Sequence, residues 1–336
     1  MIVAEVEQTR QRSGWPTGRT LAALGVSRAT YYRQRRALEE DRSTVPRPVA
    51  VHRITPEERA AVVAFKQKRP ELRHRPLAWT MIDEDVAYLS PSSVYRILSE
   101  EGLLQPWERS KRGTGKTPCR PSRPNELWQT DLRYVKVAGR RYFLLVFVDV
   151  FSRFVPYWEL LRSMDGETVS LAALTALETL AEEDRKGVTI QSDNGSAFVS
   201  ADFARVLREN GVGHARIHPY TPEQNAFVER VLRTLGEPWY EDELASFAQA
   251  EGAMDEIVAW YNHHRLHSGI GYVTPVAMHL GDADRILEER RAKLAQARHR
   301  RKEENLNLRQ RSLALAAHPE AWNPQTTLTP KVSQSV

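Results

Sequence analysis

The chain has 336 residues, with 48 Lys and Arg against 43 Asp and Glu, a net charge of +5 and one cysteine. That length supports two or three domains with at least one large core. The lone Cys119 excludes an internal disulfide and a multi-cysteine zinc module. The longest apolar run, YFLLVFVDVF, is too short and too interrupted to cross a bilayer, and the N-terminal residues lack an apolar signal core. A soluble protein of a reducing compartment, without a membrane partner, is therefore expected. Basic residues crowd at 109–123 and at 290–302, the second run holding no acid. Each run reads either as a solvated face or as contact with a polyanion.

In chain order, TLAALGVSRATYYRQRR within residues 1–45 reads as a short helix, a glycine turn at Gly25 and a second helix capped by Ser27. This is the pattern of a helix-turn-helix, whose second helix enters the DNA major groove; the alternative is a plain helical hairpin. Leu21, Leu24, Val26 and Tyr31 would hold the helices together, leaving Ser27, Arg28, Tyr32 and Arg33 facing DNA. A second such unit is expected in residues 46–105, with Ser90 as cap and Pro91 as first helical residue. Val94, Ile97 and Leu98 form its inner face, and Ser92, Ser93 and Arg96 face outward. A purely structural helical pair is the competing reading. Residues 106–124 are a basic, proline-rich linker.

From residue 125 the pattern changes. WQTDLRYVKV, YFLLVFVDV and RFVPYWELL read as three consecutive strands, the first two joined across Ala138 and Gly139. A helix, a strand ending in SDNG, a helix, a short strand and a long helix starting at Thr221 and Pro222 follow. Three antiparallel strands and then alternating helix and strand describe an α/β core of ribonuclease-H type, a mixed five-stranded sheet with helices over residues 125–280. Residues 281–336 read as a basic helix and a disordered tail.

The carboxylates of this core carry the chemistry. Asp131 lies inside the first core strand, where an unpaired charge is costly. Asp193 ends the fourth strand, where Asp, Asn and Gly also serve as simple turn residues. Glu229 sits two turns into the long helix, with Asn225 and Arg233 on its face; 61 residues separate the two aspartates and 35 separate Asp193 from Glu229. In a ribonuclease-H-like sheet the first and fourth strands are neighbours, so both aspartates open on one edge and the helix brings Glu229 over them. Three converging carboxylates repel unless cations hold them, and hard oxygen donors select Mg²⁺ or Mn²⁺. Two such ions activate an attacking oxygen and stabilise the leaving oxygen of a phosphodiester.

WQTDLRYV, VDVFSRFV, SDNGSAF, HPYTPEQNAFVERVLRTL and YNHHRLHSGIGYVTP resemble, in order, the blocks of bacterial insertion-sequence transposases of the retroviral-integrase superfamily. The resemblance implies a metal-binding triad of Asp131, Asp193 and Glu229, two Mg²⁺ or Mn²⁺ ions and no small-molecule cofactor. It also implies double-stranded DNA as partner, both transposon ends and target, a homo-oligomer assembled on DNA, and a cytoplasmic, nucleoid-associated location. Asn225, Arg230 and Arg233 become candidate DNA contacts. The family often has Gly where this chain has Ala226, which leaves the helix sound but makes close approach of a DNA backbone harder. A helix-turn-helix regulator on a dead core, or a nuclease on the same fold, are the competing functions. The intact acid triad weighs against the first; two DNA-reading units weigh against the second.

Other residues admit plain readings. Asp149 is either a fourth acid of the cleft or a local partner of Ser152 or Arg153. His263, His264 and His267 have helical metal-ligand spacing, yet the resemblance places Asn262, Arg265 and His267 in a family block with a structural role. Trp128, Trp158, Trp239 and Trp260 read as packing.

Overall fold

The computed structural model describes residues 2–39, 50–104, 121–218, 221–237 and 244–317. It divides into two compact units, residues 1–53 with 300–336 and residues 54–299. In the first unit, α1 (Ile2–Ser13) joins α2 (Thr17–Ala23) and α3 (Arg28–Glu39). Gly25, at φ +66°, makes the left-handed turn between α2 and α3, and Ser27 Oγ accepts the Thr30 amide at 3.1 Å as the cap of α3. The core is Val6, Leu21 and Tyr31, with Ile2, Val3 and Val26 against it. The helical pair is thus a trio, because α1 supplies the apolar surface that two short helices lack. Leu24, expected in that core, is 37 % exposed.

In the second unit α4 (Pro56–Lys68), α5 (His74–Asp83) and α6 (Pro91–Glu100) form a small helical cluster. A reciprocal capping box between Thr55 and Glu58 starts α4, and Ser90 caps α6 by accepting the Ser93 amide at 3.3 Å. Val94, Ile97 and Leu98 face inward, onto Val62, Leu77 and Met81. Ser92 and Arg96 are exposed, whereas Ser93 is half-buried.

A five-stranded sheet follows, of β1 (Leu127–Val137), β2 (Arg140–Asp149), β3 (Tyr157–Leu161), β4 (Thr189–Ser192) and β5 (Gly213–Arg216), in the order β3-β2-β1-β4-β5. β1 pairs antiparallel with β2 through a tight turn in which Ala138 and Gly139 both have positive φ, and parallel with β4. β3 starts at Tyr157, later than the apolar pattern suggests: Arg153 has φ +67° and Pro156 offers no amide to a ladder. Side chains on a strand alternate between faces. Trp128 of β1, Leu145 and Phe147 of β2 and Ile190 of β4 pack against α7 (Gly166–Glu178) and α9 (Ala201–Glu209). A four-residue helix, α8 (Glu182–Arg185), precedes β4. On the other face Val135, Val137, Leu144, Val146 and Val148 meet α10 (Ala226–Gly236) and α11 (Phe247–His263). The result is a three-layered, ribonuclease-H-like α/β core. α12 (Pro275–His279) and α13 (Ala283–Ala317) close the described chain. Among the described residues no helix is long and apolar enough to cross a membrane.

The basic linker falls mostly outside the described residues, as do Trp239 and the tail beyond residue 317. The run 290–302 lies within α13, and part of it is neither solvated nor open to a polyanion. Arg290 is 3 % exposed, and its guanidinium donates to both carboxylate oxygens of Asp83 at 2.7 and 2.6 Å and to the Tyr272 carbonyl at 2.9 Å. Lys293 pairs with Asp85 at 2.5 Å. These two cations staple α13 to the end of α5, while Arg291 and Arg298 are exposed.

Candidate active site

Odd-numbered residues of β1 face α10, and three of them define the site. Gln129 is 1 % exposed; its Oε1 accepts the backbone amides of Phe227 and Val228 at 3.2 Å each. Arg133 donates to the Leu232 carbonyl at 2.8 Å, one turn further along the same helix. Asp131 lies between them on the strand, and Glu229 lies between their contacts on the helix. β4 is aligned by register, with Gln191 opposite Gln129, so Asp193 follows just beyond the strand end on the neighbouring element.

Asp131 is half-buried, and its Oδ1 accepts the Leu132 amide at 2.8 Å. Burial, together with the negative charges of Asp193 and Glu229, pushes its carboxyl from the ordinary 3.8 up to about 6, against the lowering effect of that amide. Asp193 Oδ1 accepts the Gly195 amide at 2.8 Å. A Cβ at Gly195 would stand 2.9 Å from that oxygen, so the turn needs glycine to let the carboxylate fold back. Glu229 is exposed. Each aspartate therefore has one oxygen fixed by the backbone, an arrangement that orients the other. Asp131 senses the charges of Asp193 and Glu229, yet among the described residues no group of His, Cys, Asp or Glu side chains is spaced to hold an ion. The donor set, all carboxylate oxygen, fits a hard divalent cation, which would draw the three together.

The sequence-based candidates sort clearly on this frame. The helix carrying Glu229 does not begin at Thr221: a 3₁₀ turn, Pro222–Asn225, precedes it, Thr221 makes no side-chain cap, and Glu229 sits in the first turn of α10. Asn225, expected to share an exposed face with Glu229, is 2 % exposed and leaves the set of DNA contacts. Arg230 and Arg233 are exposed beside Glu229. Arg28 and Arg33 are exposed on α3, as are Ser27 and Tyr32, the Arg28 guanidinium lying against Gly18, where a Cβ would meet it at 2.8 Å.

Asp149 is fully buried and accepts from the Asn125 amide at 3.2 Å, the Ser152 amide at 3.0 Å and the Ser152 hydroxyl, with His279 Nδ1 at 3.5 Å. It is a local pin of the β2 end. Asn262 bonds both backbone groups of Val155, at 3.0 Å each, tying α11 to the β2–β3 connection. His267 Nδ1 accepts the Gly269 amide at 3.1 Å, and burial among Arg153, Arg265 and Arg230 lowers its imidazole to about 4. Among the described residues, the three histidines belong to no group spaced to hold an ion. Trp128 is buried as expected and Trp158 packs on the core, but Trp260 is 46 % exposed. Gln129, Gln191, Gln224 and Arg133 had no place in the sequence reading. The signal was present: Gln129 and Gln191 each stand two residues before an aspartate of the triad, Gln129 on the same strand face as Asp131.

Two models of the integrase core domain match the chain, over residues 121–222 and 210–275. The transposase for insertion sequence element IS904 of Lactococcus lactis is 30 % identical over 156 residues, covering 45 % of this chain and 60 % of that protein. The putative transposase for IS986/IS6110 of Mycobacterium tuberculosis is 31 % identical over 169 residues, covering 47 % of this chain and 59 % of that one. This chain thus spans about 60 % of the length of these curated relatives. The catalytic core of HTLV-2 integrase in complex with magnesium is similar at 24 % identity and a TM-score of 0.37, over 47 % of this chain and 98 % of that one. With integrase-core models matching 121–222 and 210–275 and insertion-sequence transposases similar over nearly half of its length, the chain carries an integrase core domain similar to that of insertion-sequence transposases.

Proposed function

We propose that the protein is a DNA transposase: it binds the ends of an insertion sequence, cleaves them to free 3′-hydroxyls and joins these to target DNA. The observation that carries the reading is the clamp of β1 on α10, which sets Glu229 over the strand bearing Asp131 while β4 leads Asp193 to the same edge. On this reading Asp131, Asp193 and Glu229 hold two Mg²⁺ or Mn²⁺ ions. Bound there, the ions would supply a nucleophilic oxygen and stabilise the leaving one.

The chain's own groups orient and select. The Leu132 and Gly195 amides fix one oxygen of each aspartate, so the second oxygens keep a set direction. Arg230 and Arg233, exposed on the helix of Glu229, are suited to backbone phosphates, and α3 with Ser27, Arg28, Tyr32 and Arg33 to the terminal sequence. The α6 residues Ser92, Ser93 and Arg96 are suited to a second stretch of the same end. A homo-oligomer on DNA follows from the task, since two ends must be joined together.

The test is a cleavage and strand-transfer assay in Mg²⁺ on DNA carrying the inverted repeats that flank the gene. Nicks at the repeat boundary and joined products are expected. Cleavage without preference for the repeats would point to a nuclease, and binding of the repeats without cleavage to a regulator.

A further inference from the structure

Three glutamines, none of them in the acid triad, meet where the acid-bearing elements meet. Gln129 Nε2 donates to Gln191 Oε1 at 2.9 Å and to the Gln224 carbonyl at 2.6 Å, while its Oε1 accepts the Phe227 and Val228 amides. Gln224 Oε1 in turn accepts the His218 amide at 2.9 Å. β1 carries Asp131, β4 leads into Asp193, and the 3₁₀ turn containing Gln224 opens the helix of Glu229.

The bonds to Phe227 and Val228 have a particular meaning. They are the second and third amides of α10, the donors that a helix leaves unsatisfied and that an N-cap side chain ordinarily takes. The residue in the N-cap position, Asn225, makes no such bond; its buried Oδ1 has no hydrogen-bond partner. The helix is capped instead by a side chain from a strand nearly a hundred residues earlier. A local cap fixes only where a helix begins. A cap from β1 also fixes where the helix stands relative to β1, and the donor side of the same amide fixes β4.

We propose that Gln129 is a positioning residue, a remote cap that sets Glu229 against Asp131 and Asp193 and so determines how readily the three acids take a divalent cation. The inference rests on the transposase reading for its catalytic arm, but the cap can be tested without DNA. Gln129→Met keeps the volume and removes every bond; Gln129→Glu keeps the acceptor for the two amides and removes both donors.

Hydrogen exchange at Phe227 and Val228 in the full chain is expected to quicken at least about fivefold in Gln129→Met, the size of an N-cap lost, and to stay near wild type in Gln129→Glu. In cleavage, both variants should need several-fold more Mg²⁺ for half-maximal rate, with unchanged affinity for the DNA ends. A merely structural glutamine would lower the amount of folded protein and leave the Mg²⁺ requirement of the folded fraction alone. Should Gln129→Met fail to fold, Gln191→Leu removes only the strand-to-strand acceptor and must still raise the Mg²⁺ requirement. A folded Gln129→Met with wild-type exchange at both amides, or an unshifted Mg²⁺ requirement in Gln129→Glu and Gln191→Leu, overturns the proposal. If the wild-type chain cleaves no DNA, the transposase reading fails, and the exchange result alone decides the cap.

Discussion

Asp131 shows how one residue can be costly to the fold and useful to the site. Its carboxyl is raised to about 6 from 3.8, so between those pH values the native state holds a proton that the unfolded chain has released. Stability therefore falls as pH rises through that window, by up to about 3 kcal/mol at 1.36 kcal/mol per unit. Asp131→Asn, which keeps the oxygen accepting the Leu132 amide, should raise the melting temperature at pH 7–8 in metal-free buffer. It should also abolish strand cleavage while leaving end binding intact, as should Asp193→Asn and Glu229→Gln. Near-normal cleavage by any of the three in Mg²⁺ would sink the two-ion assignment. His267 has the opposite sign. Its imidazole is lowered to about 4, so the unfolded chain binds the extra proton first and stability is lost as pH falls from about 6.5 towards 4. Replacing His267 with Gln should flatten the acid limb of a stability–pH curve; an unchanged limb would show that its burial is not what the acid side reports.

At the scale of elements, α3 and α13 carry the clearest expectations. Arg28 and Arg33 stand near the start and middle of a capped, exposed helix, where they can reach base edges or phosphates. Arg28→Ala should cost about 1–3 kcal/mol on the cognate end if Arg28 reads a base. An equal loss on random DNA would make it a phosphate contact. In α13 the basic run has two parts with different work. Arg290 and Lys293 belong to the fold, and Arg290→Ala should destabilise the residues 54–299 unit by about 2–3 kcal/mol, since it removes a two-pronged charged bond and leaves Asp83 without its partner. Arg291 and Arg298 are exposed, and if they meet phosphates, replacing both with Gln should lower the salt slope of DNA binding by about two. An unaltered slope would make them a solvated face.

For the molecule as a whole, the site and its stability are linked. On the transposase reading the triad takes a divalent ion, and an ion that binds the folded chain alone should stabilise it. At a hundredfold excess over Kd the gain is about 2.7 kcal/mol. Calorimetry with and without Mg²⁺ should show a melting temperature several degrees higher in the wild-type chain and no rise in Asp193→Asn. A similar rise in the variant would place the ion elsewhere.

Much of this architecture is legible in the chain because it is local. Strand-like apolar runs mark β1 and β2, Ala138 and Gly139 mark their turn, Ser27 and Ser90 mark helix starts, and the order of elements with the acids inside it marks the core. What stayed hidden depends on partners distant in sequence. α1 became part of the first unit only because Leu21 and Tyr31 needed cover. Arg290 looked like one more solvated cation until α13 laid it on Asp83, 207 residues away. The start of α10 departs from the local signal for the same reason: Thr221 and Pro222 form a valid start signal, but the helix begins where Gln129 of β1 can cap it. Propensity and patterning are written in neighbouring residues, whereas a cap, an ion pair or a carboxyl raised by its neighbours exists only once the sheet and helices have brought those groups together.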